Sequence, residues 1–73
     1  MDCKYVLVSD TYSDDTGTHV GYGIAVVDRK RVTISAALDL SPNESEVADL
    51  VLKCNRLKIS PIHFRDVIED FLS

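Results

Sequence analysis

Ser41-Pro42-Asn43-Glu44-Ser45-Glu46-Val47-Ala48-Asp49-Leu50-Val51-Leu52-Lys53-Cys54-Asn55-Arg56-Leu57-Lys58 is the stretch on which the fold turns. Three helix-start signals overlap at its head. Ser41 can serve as N-cap, Pro42 suits the first turn where no amide hydrogen is needed, and Glu44 sits at the capping-box position. Behind them Val47, Leu50, Val51, Cys54 and Leu57 recur at spacings of three and four, the apolar stripe of an amphipathic helix. Glu44, Glu46 and Asp49 come early and Lys53, Arg56 and Lys58 late, an order that suits the helix dipole. The first helix is therefore predicted over residues 42–58. Ser60-Pro61 repeats the opening. Pro61 disfavours helical geometry at Ser60 and starts a helix itself, so the break falls at Lys58–Ser60. Phe64, Val67, Ile68, Phe71 and Leu72 form a second stripe over 61–72, with Ser60 as its predicted cap.

Upstream, residues 3–40 have the two-residue period of strands. Lys4-Tyr5-Val6-Leu7-Val8 is a strand with apolar residues on both faces. Ser9 to Thr18, holding Asp10, Asp14, Asp15 and Gly17, is expected to be a polar loop. From His19 to Val27, Val20, Tyr22, Ile24 and Val26 alternate with Gly21, Gly23, Ala25 and Val27. Asp28-Arg29-Lys30-Arg31 is a charged turn, and a third strand runs from Val32 to Leu40. A three-residue loop at Arg29–Arg31 pairs Asp28 with Val32 and aligns Tyr22, Ile24 and Val26 with Ile34, Ala36 and Leu38, which puts the largest side chains under the helices. A one-residue slip would exchange the faces. The predicted fold is α+β: a three-stranded antiparallel β-meander followed by two α-helices (β-β-β-α-α), one domain over residues 1–73.

The chain is 45% hydrophobic and 27% charged, the balance of a globular domain. At 73 residues a core of this size typically supplies only ~3–5 kcal/mol, so a partner would help. A net charge of −4 is at odds with general nucleic-acid binding, which needs a basic surface. Met1-Asp2-Cys3-Lys4 lacks the basic region and apolar run of a signal peptide, and no run is long enough to span a membrane, so a cytoplasmic protein is expected. Two cysteines, Cys3 and Cys54, are too few for a disulfide framework or a metal knuckle. Cys54 lies on the apolar stripe and is expected to be a small core residue.

Candidate sites are sparse. The acidic loop Asp10–Gly17 lacks the alternating ligands and terminal bidentate glutamate of an EF-hand, so a solvated loop is expected. Gly21-x-Gly23 lacks a third glycine and a following helix, which removes the dinucleotide reading and leaves close approach of another element or a bend. His63 near the start of the last helix suits a surface or capping role, because no nucleophile or carboxylate accompanies it at recognisable spacing. His19 has no partner visible in sequence. Arg29-Lys30-Arg31 could touch phosphates, though three charges on a turn are ordinarily solvated.

Two resemblances add to this. Asp10 after an apolar strand, Gly21-Tyr22-Gly23-Ile24-Ala25-Val26-Val27, a third strand and Asn43-Glu44-Ser45-Glu46 opening a helix together resemble the first β-β-β-α portion of ribonuclease H domains over residues 5–57. The resemblance implies Asp10 and Glu46 as ligands of divalent metals for phosphodiester hydrolysis. That chemistry needs more carboxylates, and two leave a two-metal site underfilled, so no functional metal site and no catalysis are expected. The second resemblance covers most of the chain. Val47-x-x-Leu50-Val51-x-x-Cys54-Asn55-x-Leu57, then Ser60-Pro61-Ile62-His63-Phe64-Arg65-Asp66-Val67-Ile68-Glu69-Asp70-Phe71-Leu72, with Tyr22-Gly23-Ile24 upstream, resembles a family of short bacterial proteins of unknown function. It implies a small bacterial cytosolic protein and carries over no catalytic residue.

The expected function is a non-catalytic protein–protein interaction or regulatory module without a cofactor. The alternatives are a ribonuclease H-like nuclease fragment and a small acidic inhibitor of a nucleic-acid-binding protein. The meander has more apolar positions than one helical layer can cover. Val6, Val8, Ala25, Val27 and Ala37 are therefore the interface candidates on its second face, where a homodimer or another protein partner is expected.

Overall fold

A computed structural model describes residues 3–73, so Met1 and Asp2, with the domain start and the N-terminal reading that fall on them, lie outside the described residues. The elements are β1 (Lys4–Asp14), β2 (Gly17–Val27), β3 (Thr33–Ser41), α1 (Glu44–Arg56), a 3₁₀ turn at Pro61–His63 and α2 (Phe64–Leu72). The strands form one antiparallel sheet in the order β1-β2-β3, and the predicted β-β-β-α-α order is the one observed. Helices pack on one face of this sheet. There Tyr5, Ile24 and Val26 meet Val51, Cys54 and Phe64, and Ile24, Val26, Val47 and Cys54 are fully shut from solvent.

The segment expected to be a loop is strand. β1 and β2 pair without interruption from Lys4↔Val27 to Asp14↔Gly17, which leaves only Asp15 and Thr16 as the turn. Its residues carry no apolar period because this end of the hairpin is exposed on both faces: Thr11, Tyr12, Ser13, Thr18 and Val20 are all exposed.

The β2–β3 turn forms as its sequence predicts. Asp28 donates its amide to the carbonyl of Val32 at 3.0 Å, and its Oδ1 accepts from the amides of Lys30 and Val32 at 2.8 and 2.9 Å. Arg31 takes the left-handed conformation, φ 63°, that commonly closes a three-residue hairpin loop. Beyond the turn the predicted register is lost. Val27 pairs with Thr33, but Val26 pairs with Ser35 and Ile24 with Ala37. This bulge inserts one extra residue of β3 and exchanges its faces. Ala37 therefore packs against the core and is not on the second face. Ala36 and Leu38 take the opposite side instead, and Ile34 is left half exposed at the bulge.

A second irregularity follows, where two steps of β2 from Ile24 to Tyr22 match four of β3 from Ala37 to Ser41, with Asp39 at φ 55°. β3 here runs directly over two glycines. A Cβ on Gly23 would strike the carbonyl oxygen of Ala37 and lie 2.9 Å from Cα of Leu38, and one on Gly21 would strike the Asp39 carboxylate. These glycines permit close approach of a neighbouring strand, as their sequence position suggested.

Both helix starts differ from expectation in detail. Asn43, rather than Ser41, is the cap of α1: its Oδ1 accepts from the amide of Ser45 at 3.0 Å, and the helix begins at Glu44 rather than Pro42. Ser41 ends β3, buried. Its hydroxyl accepts from the amide of Asn43 at 3.0 Å and donates to Glu46 at 2.9 Å. It thus orders the approach to the cap. Ser60 makes no side-chain cap bond, and Pro61 opens a 3₁₀ turn before α2 begins at Phe64. At the break Lys58 turns left-handed, φ 52°. The amides of Lys58 and Ile59 donate to the carbonyls of Asn55 and Cys54 at 3.2 and 3.1 Å, the double closure of a Schellman ending.

Candidate interaction surface

Strand alternation puts Lys4, Val6, Val8 and Asp10 of β1 opposite the helices, beside Val27, Ala25, Gly23 and Gly21 of β2. Ala36 and Leu38 of β3 complete the row. No helix among the described residues packs on this face, though β3 crosses over Gly21 and Gly23 at its acidic end. Leu38 is 59% exposed, Val6, Val8 and Val27 are partly exposed, and the small Ala25 is enclosed by its neighbours. The middle of the face is therefore apolar. Its two ends carry opposite charge. Lys4 and the turn residues Arg29, Lys30 and Arg31 lie at one end, where Lys4, Val6, Val27, Arg29 and Arg31 line an open depression with Cys3 and Asp28, three cations against one carboxylate. Asp10 and Asp39 flank Gly21 at the other. Four of the five interface candidates are here; Ala37 is not, and Ala36 and Leu38 escaped the sequence reading because the bulge has no sequence mark.

Asp10 and Glu46 are not brought together. Asp10 belongs to the open face and accepts the amide of Thr11 at 3.0 Å. Glu46 stands on α1, on the far side of the sheet, held by Ser41. No group of three or more His, Cys, Asp or Glu able to share a metal ion occurs among the described residues.

Three further clusters have chemistry to weigh. At the hairpin tip Thr16 donates its hydroxyl and its amide to Oδ1 of Asp14 at 2.6 and 2.8 Å. Nε2 of His19 lies 2.8 Å from the Thr16 hydroxyl oxygen and 3.0 Å from the same Asp14 oxygen. The only hydroxyl hydrogen of Thr16 is already committed to Asp14, so Nε2 carries the hydrogen it shares with them. A base that activates a hydroxyl must accept from it and turn its other nitrogen to the acid; here one donating nitrogen faces both. The Thr16 bonds hold the Asp14 carboxyl below its usual range. Tyr12 stacks on His19 with ring centroids 5.4 Å apart, so His19 has partners that only strand pairing reveals.

The second cluster fixes the start of β1. The side-chain amide of Asn55 accepts from the amide of Tyr5 at 2.8 Å and donates to its carbonyl at 2.9 Å. It thereby imitates a neighbouring strand on an edge that would otherwise be open. The Tyr5 hydroxyl donates to the carbonyl of Ile59 at 2.8 Å, and its ring tilts against Phe64 at 5.8 Å. Burial pushes the Tyr5 hydroxyl and the Cys54 thiol upward, so Cys54 stays a neutral packing group. The third cluster is His63, whose Nδ1 lies 3.9 Å from Asp66 with both side chains largely exposed. That is a surface position, without a cap bond.

Against known proteins, a family of unknown function (DUF6514) matches residues 1–73, and the chain belongs to that family. No curated protein and no solved structure matches it, and the resemblance to ribonuclease H domains is not supported.

Proposed function

Starting from membership of a family whose function is unknown, we propose that this chain is a non-catalytic interaction module and that it docks a protein on the open face of its sheet. The observation that carries the proposal is Leu38. It is 59% exposed on the same face of the sheet as Val6, Val8, Val27 and Ala36, where a covered sheet would have buried it. Contiguous apolar patches on small domains ordinarily serve as interfaces. A bacterial cytoplasmic setting belongs to the same proposal. It rests on the resemblance of the sequence to short bacterial proteins, and no helix among the described residues is long and apolar enough to cross a membrane.

The test is Leu38→Lys, paired with Val8→Lys. Wild-type chain immobilised in extract of its host should retain a protein, either itself or another. Each lysine variant should lose it while the thermal midpoint of the domain stays where it was. Equal retention by wild type and both variants would overturn the assignment to this face.

A further inference from the structure

We infer that the occupant of the open face is a second copy of this chain, packed face to face about a two-fold axis that runs across the strands. The inference rests on the docking role proposed for this face and adds the partner and its orientation.

The charge pattern supplies the argument. The face has a basic end at Lys4 and Arg31, an apolar middle, and an acidic end at Asp10 and Asp39. Two identical faces can meet about either of two axes lying in the plane between them. An axis parallel to the strands sets Lys4 over Lys4 and Asp10 over Asp10, opposing like charges at both ends. An axis across the strands exchanges the ends, so Lys4 of each copy meets Asp10 of the other and the Arg31 end meets Asp39. Such an isologous contact makes every favourable pairing twice, and charge of this kind chiefly fixes register and orientation. Side chains reach the face at every second row, and the midpoint between Lys4 and Asp10 falls at the intervening Leu7↔Ile24 row. Val6 then lies over Val8 of the other copy, and Ala25 faces the stretch of β3 that crosses Gly23. The sheets would form an aligned sandwich, roughly 10 Å apart and within about 30° of parallel.

Size sets the strength. At the spacing of strands and residues in a sheet, the patch from Lys4 to Asp10 across three strands is roughly 20 Å by 15 Å. That is well under the roughly 800 Å² per partner of a standard interface. The pair should therefore form and separate with concentration, and its charged ends should make it weaker in high salt.

Sedimentation velocity from micromolar to millimolar chain is the experiment. Wild type is expected to pass from monomer to dimer, and added salt should move the transition to higher concentration. Lys4→Glu and Asp10→Lys, both at exposed positions, should each raise the dissociation constant about tenfold. The double variant Lys4→Glu/Asp10→Lys should restore it to within about threefold of wild type, because each copy again meets opposite charge. A chain that stays monomeric throughout overturns the inference; if Leu38→Lys nevertheless loses another protein from extract, the docking role stands and only the second copy fails. Single reversals without effect, or a double variant weaker than both singles, overturn the orientation. A dimer that Leu38→Lys leaves intact overturns both readings.

Discussion

Ile24 and Val20 lie four residues apart on the same face of β2, yet Ile24 is wholly buried and Val20 is 41% exposed. The two ends of one hairpin thus live under different physics. β1 and β2 are 11 residues each, about 36 Å of strand. The 13 residues of α1 make only about 20 Å of helix. The helical layer therefore runs out part way along the sheet. The near end, at Tyr5 and Val26, is held by contacts between residues distant in sequence, with α1 and Phe64 closing over it. The far end, from Thr11 to Val20, has no helix to pack on. It keeps its shape through ladder hydrogen bonds, the Tyr12–His19 stack and the bonds that converge on Asp14.

The largest effect should come from testing that contrast within one strand. Ile24→Ala removes a fully enclosed side chain and should cost ~2–5 kcal/mol, the range of large-to-small substitutions in packed cores. For a domain of this size that is most or all of its stability. Val20→Ala, in line with it on the same face, should cost under about 1 kcal/mol, since its surroundings are already solvent. Urea unfolding of the two variants measures both. Similar losses would mean that the far end is covered and that the contrast is false.

A smaller effect sharpens the account of what grips the near end. Asn55→Ala leaves the amide and carbonyl of Tyr5 without their partners on a half-buried edge, which should cost ~1–3 kcal/mol. The Tyr5 amide should exchange with solvent much faster in the variant, while the amides of the far hairpin keep their wild-type rates relative to global unfolding. Unchanged protection at Tyr5 would show that Asn55 does not close this edge.

The same division explains what could be seen in the sequence. The near end was legible because burial writes periodicity: the stripes of both helices, the alternation of β2 and the break forced by Pro61 are all consequences of packing or of proline geometry. The three-residue turn is chosen on sequence because it sets the largest side chains under the helices; it forms, held by the two amides Asp28 accepts, although the register that recommended it does not. The far hairpin was not legible, since a strand exposed on both faces has no reason to alternate, and Ser9–Thr18 looks like any polar loop. Nor was the orientation of β3. The turn set one register and a single bulged residue replaced it, which moved Ala37 into the core and Leu38 onto the open face. Ser41 and Asn43 are both good caps two positions apart, and only the geometry after β3 chooses between them. Of the candidate surface, Val6, Val8, Ala25 and Val27 were placed by alternation alone. Its charged ends were not, because they depend on which strands meet across the face.

The smallest effect belongs to the tip, and pH isolates it. The Asp14 carboxyl is held below its usual range chiefly by the hydroxyl and amide of Thr16, with a lesser part from His19. A carboxyl whose folded pKa lies below its unfolded one binds its proton more weakly in the folded chain. Its contribution to stability is then complete above the unfolded pKa and disappears as pH falls through the folded one. The Asp14 side chain is exposed, so water and salt screen the contribution and it must be small. Asp14→Ala should therefore lower the thermal midpoint slightly at neutral pH and bring the two proteins together in acid, below the range in which ordinary carboxylates titrate. The chemical shifts of Thr16 should lose the acid titration step of Asp14 in the variant, while those of Tyr5 and Asn55 are unmoved. A loss at the tip that spread to Tyr5, or a difference in midpoint that grew in acid, would mean that the two ends of the hairpin are coupled after all.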